Sequence, residues 1–152
     1  MNDYQVAASE HVNAPATRIY AILRDYRDGH PRVLPKKYFK TLEVVQGGVG
    51  AGTVIRFQMK VMGLTRNFTA NISEPEPGRI LAETDAESGI VTRFLVDRDP
   101  QGSGSSVTIQ TELKARLGIA GSIERFMTIR VLTKIYRAEL ALIEEVATKE
   151  VT

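Results

Sequence analysis

The chain has 152 residues, which is enough for one domain with a sizeable core, and it contains no cysteine. The absence of cysteine excludes disulfides, thiolate metal sites and a cysteine nucleophile. Its 20 basic and 18 acidic side chains give a formal net charge of +2, and because the two signs are interleaved along the sequence, the composition argues against nucleic acid as a partner.

The sequence predicts a single domain over residues 1–152, because no repeat, low-complexity tract or linker divides it. The first residues, MNDYQV, do not resemble a secretion signal, which combines a basic stretch with an apolar one. No run approaches the ~18 consecutive apolar residues that a membrane span needs. We therefore expect a cytoplasmic protein with no stable membrane insertion. The sequence does not predict its oligomeric state.

The N-terminal part predicts one strand followed by two short helices. Residues 4–12 alternate between apolar and polar side chains, as a β-strand does. Pro15 suits the first turn of a helix, and the spacing of the apolar residues that follow predicts a helix over residues 15–26. Gly29 and Pro31 break this helix, and residues 31–34 have room for one short helical turn.

Residues 38–115 predict an antiparallel sheet that is covered on one face, since apolar and polar side chains alternate with period two. Turns at residues 62–63, 75–78, 87–89 and 99–102 separate the strands. The predicted inward rows are Thr53, Ile55, Phe57 and Met59; Leu64, Arg66, Phe68, Ala70 and Ile72; Ile90, Thr92, Phe94 and Val96; and Val107, Ile109, Thr111 and Leu113.

The stretch QGGVGAGT at residues 46–53 has the glycine density of a phosphate-binding loop. A dinucleotide loop must lead into a helix whose N-terminus faces the pyrophosphate, and a Walker A loop needs a lysine. Thr53 instead begins an alternating strand, and no lysine follows the glycines. We therefore predict a hairpin connection in which glycine permits positive φ and close backbone approach.

After Gly118 the apolar spacing becomes helical and stays so to about residue 147, which predicts a helix about 45 Å long. Its apolar face is too wide for a surface helix that rests on a single neighbour, and is typical of a helix wrapped by a curved sheet. The members of this face are Val131, Leu132, Ile135, Tyr136, Leu142, Ile143 and Val146.

Three local stretches carry a resemblance: VNAPATRIYAILRDY at residues 12–26, GGVGAGTVIRF at 47–57 and EPEPGRIL at 74–81. With the closing amphipathic helix, they resemble the START-like (SRPBCC) superfamily, in particular its polyketide cyclase/dehydrase and Bet v 1-like branch. The resemblance implies an α+β helix-grip fold: a curved seven-stranded antiparallel sheet wrapped around a long C-terminal helix, with two short helices after the first strand. It also implies an apolar cavity for an amphipathic small molecule, but no particular reaction.

Metal and serine-hydrolase chemistry is disfavoured. The two histidines, His11 and His30, have no carboxylate at metal-ligand spacing, and no G-x-S-x-G motif is present. We therefore expect neither a metal nor another cofactor. The candidate catalytic residues are polar side chains that the pattern places at or near the cavity: Glu139, His30 and Arg66.

Glu139 lies in the middle of the apolar face of the long helix. If its carboxyl faces the cavity, burial raises its pKa, and it orients a ligand or acts as a general base. The more ordinary alternative, which we favour, is that it pairs with an arginine or emerges at the end of the cavity. Arg66 is a candidate partner for Glu139 or for a ligand carboxylate, although its place near the start of its strand fits solvent exposure equally.

His30 stands in the break between the two predicted short helices, a region that lines or gates the cavity in related folds. It is a candidate proton shuttle, but a lone loop histidine is more often a cap or an exposed side chain, which we favour. Tyr26 and Tyr38 flank this segment and are predicted to form a polar rim. The complete set of predicted ligand-binding residues is Ile55, Phe57, Met59, Phe68, Thr92, Phe94, Thr128, Leu132, Ile135, Tyr136, Tyr26 and Tyr38.

Three functions fit these patterns. The favoured one is carriage or sensing of a hydrophobic small molecule, such as a lipid, a quinone or a polyketide-like aromatic. The second is an enzyme of cyclase or dehydratase type, in which Glu139, His30 or Arg66 moves protons or polarises carbonyls. The third is a protein-interaction domain whose cavity is filled by side chains, which predicts no pocket large enough for a ligand.

Overall fold

The computed structural model describes residues 3–149 as an antiparallel sheet with one long helix and two short ones. The sheet has seven strands in the order β1-β7-β6-β5-β4-β3-β2. In chain order the elements are β1 (Asp3–Val12), α1 (Ala16–Arg24), a 3₁₀ helix (His30–Val33), β2 (Phe39–Gln46), β3 (Val54–Val61), β4 (Leu64–Glu76), β5 (Ile80–Asp85), β6 (Val91–Arg98), β7 (Ser105–Lys114) and α2 (Gly118–Lys149).

The sheet is a meander from β2 to β7, and β1 completes it beside β7. All ten residues of β1 pair with β7, from Asp3 opposite Lys114 to Val12 opposite Ser105. The antiparallel ladders put alternate side chains on one inner face, which α2 covers. The helix-grip fold is therefore confirmed.

The long helix α2 has 32 residues and is about 48 Å long. Its two halves differ in burial. The C-terminal half packs into the core through Ile135, Leu140, Ile143 and Ala147, whereas the first turns are exposed apart from Gly121. The buried core thus lies between the C-terminal half of α2, α1 and the sheet.

The helix α1 ends two residues before the predicted end at residue 26. Asp25 leaves the helical conformation with φ −90° and ψ 92°. The backbone N–H of Tyr26 donates to the carbonyl of Gly48 at 2.8 Å instead of continuing the helix. The glycine-rich loop therefore ends α1 by accepting this hydrogen bond. Helical spacing in the sequence does not predict such a long-range contact.

The glycine-rich stretch joins β2 to β3, as predicted, and packs against α1. The N–H of Gly50 donates to the carbonyl of Arg24 at 2.8 Å. Gly50 has φ +70°, and a Cβ there would lie 2.2 Å from Nη2 of Arg24 and 2.4 Å from Oε1 of Glu74. Only glycine fits this close approach without strain.

Glu74 on β4 ties the sheet, the glycine-rich loop and α1 together. Its carboxylate accepts hydrogen bonds from Arg24 at 3.2 Å, from the Ala51 N–H at 2.8 Å and from the Tyr20 hydroxyl at 2.7 Å. The guanidinium of Arg24, aided by these two donors, lowers the pKa of Glu74 to about 2. The loop is thus held by a charged, nearly buried acceptor.

Candidate functional site

A cavity of about 570 Å³ lies between α2 and the inner face of the sheet. Strands β3 to β7 each contribute alternate residues to one wall, and α2 contributes one helical face to the other. The cavity has an outer end at the exposed side chains of Met62, Leu64 and Arg66, and a closed end at the buried side chains of His30 and Glu139. Its volume contradicts the hypothesis of a domain whose cavity is filled by side chains.

His30 is held rigidly at the closed end. Its Nδ1 lies 2.7 Å from the carbonyl oxygen of Leu23 in the last turn of α1. Because a carbonyl only accepts hydrogen bonds, Nδ1 carries a proton. The imidazole also stacks on Tyr26, with ring centroids 4.3 Å apart, and meets the edge of Phe94 at 5.4 Å. Of the two favoured alternatives, a cap or an exposed side chain, His30 is the cap, since it bonds the last turn of α1 and is only 1% exposed.

Glu83 on β5 connects His30 to a second donor. Its Oε1 accepts a hydrogen bond from the Tyr26 hydroxyl at 2.7 Å and lies 3.4 Å from Nε2 of His30. Burial, followed by the negative charge of Glu83, raises the pKa of Tyr26 well above its ordinary value. Tyr26 therefore stays a neutral donor to Glu83, and the His30 ring lies beside the same carboxyl oxygen.

Glu139 is buried, and none of the ion pairs described within residues 3–149 joins it to an arginine. Its Oε2 has no hydrogen-bond partner among residues 3–149, and the residue is 3% exposed. Burial raises the pKa of Glu139 well above its ordinary value, and the charge of Glu83 adds to this effect. Burial therefore favours the protonated form of this carboxyl, whose O–H is a hydrogen-bond donor, on a residue that lines the cavity.

Three hydroxyls form a chain along the same wall. The side-chain oxygens of Thr92 and Thr111 are 2.7 Å apart, and Thr111 is also bonded to the hydroxyl of Tyr136. Burial raises the pKa of Tyr136 to about 12, and the charge of Glu139 contributes to this. The chain is neutral, and it places polar atoms between the apolar wall and the two carboxyl groups.

Most of the predicted site residues come together at this cavity. The catalytic candidates His30, Arg66 and Glu139 all line it, although Arg66 is exposed at the outer end and the other two are buried. Arg66 therefore does not neutralise Glu139. The predicted ligand-binding residues that line the cavity are Phe57, Met59, Phe68, Thr92, Phe94, Thr128, Leu132, Ile135 and Tyr136.

Three predicted ligand-binding residues do not line the cavity. Ile55 is buried in the hydrophobic core, which fills the space around it. Tyr26 is fully buried behind His30, with its hydroxyl on Glu83, so it is not part of a rim. Tyr38 lies outside the lining, half-buried, with the ammonium of Lys37 over its ring at 5.6 Å.

Glu83 and the role of Thr111 are not predicted by the sequence pattern. Glu83 follows Leu81 by two residues, so period-two alternation puts both on the inner face. The signal is masked because Ala82 between them is also buried, and the apolar run from Ile80 shows no clear alternation. Thr111 was placed in an inward row, but its hydroxyl bonds depend on pairings across the sheet and α2.

No group of three or more His, Asp or Glu side chains within the described part of the chain is arranged to hold a metal ion. None of the helices within residues 3–149 is both long enough and apolar enough to cross a membrane.

A seven-stranded sheet around a long C-terminal helix, with a mainly apolar cavity between them, defines a domain of the START and Bet v 1-like class. The chain belongs to the polyketide cyclase/dehydrase and lipid transport family, whose model matches residues 4–148. The matched family and the similar structures fit ligand binding in this fold. No curated protein sequence matches the chain.

Solved structures agree with this assignment over nearly the whole chain. The solution structure of the KanY protein is 25% identical, covers 97% of this chain and 99% of its own, and has a TM-score of 0.82. The Zhui aromatase/cyclase from Streptomyces sp. R1128 is 17% identical, with 99% and 97% coverage and a TM-score of 0.80. Norcoclaurine synthase from Thalictrum flavum, in complex with dopamine and hydroxybenzaldehyde, is 16% identical, with 99% and 90% coverage and a TM-score of 0.72. The last two show the fold alone.

Proposed function

We propose that the protein binds a hydrophobic small molecule with a hydrogen-bond acceptor at its buried end, such as a lipid, a quinone or a polyketide-like aromatic. The observation that supports this most directly is the Glu139 carboxyl, which is buried, has a raised pKa and has no partner at Oε2 among residues 3–149. A buried polar group without a partner costs about 1–3 kcal/mol. A ligand carbonyl that reaches this carboxyl and accepts its proton in a hydrogen bond relieves the cost, which favours an acceptor over an apolar end.

The remaining wall supports an apolar or aromatic body for this ligand. Phe57 and Phe68 stack with their centroids 5.2 Å apart and offer aromatic surface to the cavity. Met59 and Leu132 add apolar area on the two facing walls. The cavity volume lies within the range of about 300–1,000 Å³ that is usual for small-molecule pockets.

The first experiment identifies the ligand directly. The protein is purified under native conditions, denatured, and the released small molecules are analysed by mass spectrometry, while a panel of lipids, quinones and aromatic ketones is screened for thermal stabilisation. We expect a released or stabilising compound with a carbonyl or similar acceptor. Recovery of no compound, together with no stabilisation by the panel, would overturn the proposal.

Two variants of Glu139 test the role of its donor. Glu139→Gln keeps an N–H donor in nearly the same volume, so it should bind a stabilising ketone with similar affinity. Glu139→Leu removes the donor and should weaken binding at least about tenfold. In the wild type, the affinity should fall as rising pH ionises the carboxyl, whereas the affinity of Glu139→Gln should not depend on pH in this way. Equal affinities for Gln and Leu would contradict the donor role.

A second candidate function is acid–base catalysis of cyclase or dehydratase type. The observation that favours it is the closed end itself, where the Glu139 carboxyl, whose pKa is raised by burial, and the His30–Glu83 pair line one cavity. Such a site has both a proton donor and a potential base. Arg66 at the outer end contacts only the exposed end of a substrate. The test is turnover of a polyketone chain, which Glu139→Gln should abolish while circular dichroism shows an unchanged fold.

A further inference from the structure

Exposed apolar side chains are concentrated at the outer end of the cavity. Within residues 3–149, seven of the nine exposed large hydrophobic side chains lie on the two segments that reach this opening, the β3–β4 hairpin and residues 117–127, and each is between 40% and 83% exposed. The other two, Val45 and Val49, lie on β2 and in the glycine-rich loop. The seven are Met62, Leu64, Leu117, Ile119, Ile123, Phe126 and Met127.

These side chains form two apolar edges with the opening between them. Met62 and Leu64 form the tip of the β3–β4 hairpin, and both line the cavity. Met127 lines it from the opposite side on α2. Ile123 and Ile119 precede Met127 by four and eight residues, so they continue its face of the helix by two turns. We call the exposed side chains of residues 54–68 and 113–130 together the mouth surface.

The mouth surface also has most of the unbalanced positive charge of the chain. It contains seven Lys or Arg and one Glu, a net charge of +6. All other residues together contain 13 Lys or Arg and 17 Asp or Glu, a net charge of −4. Apolar tips beside cationic groups are the combination that binds interfaces between water and anionic lipid.

We propose that the mouth surface docks the protein peripherally onto an anionic lipid bilayer, with the cavity opening facing the lipid. Met62, Ile123 and Phe126 enter the boundary between headgroups and acyl chains. Arg130 lies with its guanidinium 5.7 Å from the Phe126 ring centroid, so it reaches a lipid phosphate while that ring is buried.

The positive charge of the mouth surface disfavours a symmetric dimer as the explanation for its exposed apolar side chains. Two copies joined through the mouth surface would bring two patches of +6 together, which is repulsive. A bilayer instead supplies anionic groups and an apolar layer at once, and so matches both edges of the opening. Nucleic acid matches the charge but gives the exposed apolar side chains no surface to bury.

The consequence is a route for an apolar ligand between bilayer and cavity that avoids water. The docking itself does not rest on the proposed ligand binding, since it involves only exposed side chains outside the closed end. Failure of one is therefore distinguishable from failure of the other.

The first test measures co-sedimentation with vesicles. Vesicles of phosphatidylcholine alone are compared with vesicles of phosphatidylcholine and phosphatidylglycerol in equal parts, at low and high salt. We expect binding only to the anionic vesicles and its loss at high salt, because screening weakens the attraction. No binding to anionic vesicles at low salt overturns the proposal.

The second test uses matched variants of exposed residues. Ile123→Asp and Met62→Asp should each weaken vesicle binding about tenfold or more, because each places a charge where an apolar side chain is buried. Val45→Asp, which makes the same kind of change on β2 far from the opening, should bind like the wild type. Arg130→Glu should weaken binding about tenfold, and Arg98→Glu, at the opposite end of the sheet, should not.

Three outcomes contradict the proposal. Equal loss in Val45→Asp and Ile123→Asp would show that binding depends on total charge and not on the mouth surface. Binding that persists in both Ile123→Asp and Met62→Asp would show that the apolar edges are not involved. A dimer in light scattering that Ile123→Asp dissolves, without vesicle binding by the wild type, would assign this surface to a second copy of the chain.

Discussion

At the scale of single residues, the buried carboxyl of Glu139 makes the free energy of unfolding depend on pH. The folded protein raises the pKa of this carboxyl above the ordinary value of 4.5, so between that value and the folded pKa the native state holds one more proton than the unfolded chain. The free energy of unfolding therefore falls as pH rises above 4.5, by at most about 1.4 kcal/mol per pH unit for this group.

We predict that Glu139→Gln removes this decline. The amide does not ionise, so the variant should lose less stability than the wild type between about pH 5 and pH 8, because it has no buried carboxyl to desolvate in charged form. Urea unfolding at both pH values measures the difference. Glu144→Gln, an exposed change on the same helix, is the control and should follow the wild type. Parallel curves for Glu139→Gln and the wild type would contradict the raised pKa.

The sequence predicts that Glu139 lies on the apolar face, because helical spacing is a local property. It does not predict the lack of an arginine, since Arg66 is in an inward row but lies at the other end of the cavity. His30 shows the same limit. Its neighbours in sequence are glycine and proline, yet its partners are Leu23, Tyr26 and Glu83, which only the packing of the 3₁₀ helix on α1 and β5 brings together.

At the scale of elements, Glu74 on β4 holds the glycine-rich loop and α1 against the sheet, so removing its charge should destabilise the fold. Glu74→Gln removes the charge that Arg24 and two other donors face, so we predict a loss of about 1–3 kcal/mol at neutral pH. Because the folded pKa is about 2, the contribution is present above 4.5 and is lost as pH falls toward 2.

Chemical denaturation at neutral and acidic pH checks this prediction. The difference between wild type and Glu74→Gln should shrink as the pH is lowered. Glu76→Gln is the control, since Glu76 is exposed in its pair with Arg79, and it should cost less than about 0.5 kcal/mol. A control that costs as much as Glu74→Gln would rule out the proposed link.

The connection between α1 and the 3₁₀ helix depends on the small size of Gly29. A Cβ at this position would lie 2.4 Å from the carbonyl oxygen of Ile22, which is backbone and cannot move alone. The φ of Gly29 is −82°, a value that any residue adopts. The cost of a larger residue at this position is therefore steric. We predict that Gly29→Ala costs about 1–3 kcal/mol in thermal or urea unfolding.

Gly29→Ala should also disturb the site, because His30 follows directly. Gly102→Ala is its control, since the nearest atom to a Cβ there is the flexible Asp99 carboxylate at 3.3 Å. It should change stability by less than about 0.5 kcal/mol. Similar losses of stability in the two variants would show that the backbone at Ile22 shifts to make room for the added Cβ.

The elements themselves were largely predictable. Alternation predicts the strands and their inward rows because one face of the sheet is covered, and the spacing after Gly118 predicts α2, which ends at Lys149, slightly beyond residue 147. The end of α1 was not predictable, because Gly48 and Gly50 take its hydrogen bonds from another part of the chain.

At the scale of the whole molecule, the fold separates charges that are interleaved in the sequence. Residues 54–68 and 113–130 are far apart along the chain, yet both contribute to the outer end of the cavity. Their combined charge of +6 is hidden in the total of +2 by the acidic remainder. Composition alone therefore shows a nearly neutral protein, whereas the fold gives it one basic, apolar end.

Because the cavity is empty space between α2 and the sheet, we predict that a larger side chain in its wall blocks ligand binding without destabilising the fold. Leu132→Trp extends an indole from α2 into a cavity of about 570 Å³, where it covers apolar wall instead of overpacking a filled core. We expect a ligand that stabilises the wild type to lose most of its thermal shift, while the unliganded free energy of unfolding stays within about 1 kcal/mol of the wild type. Thr128→Trp gives a second position on the same wall, and Val45→Trp on β2 is the control that should keep the shift. Full ligand stabilisation in both cavity variants would place the binding site elsewhere, because a ligand in this cavity must compete with the added ring for the same volume.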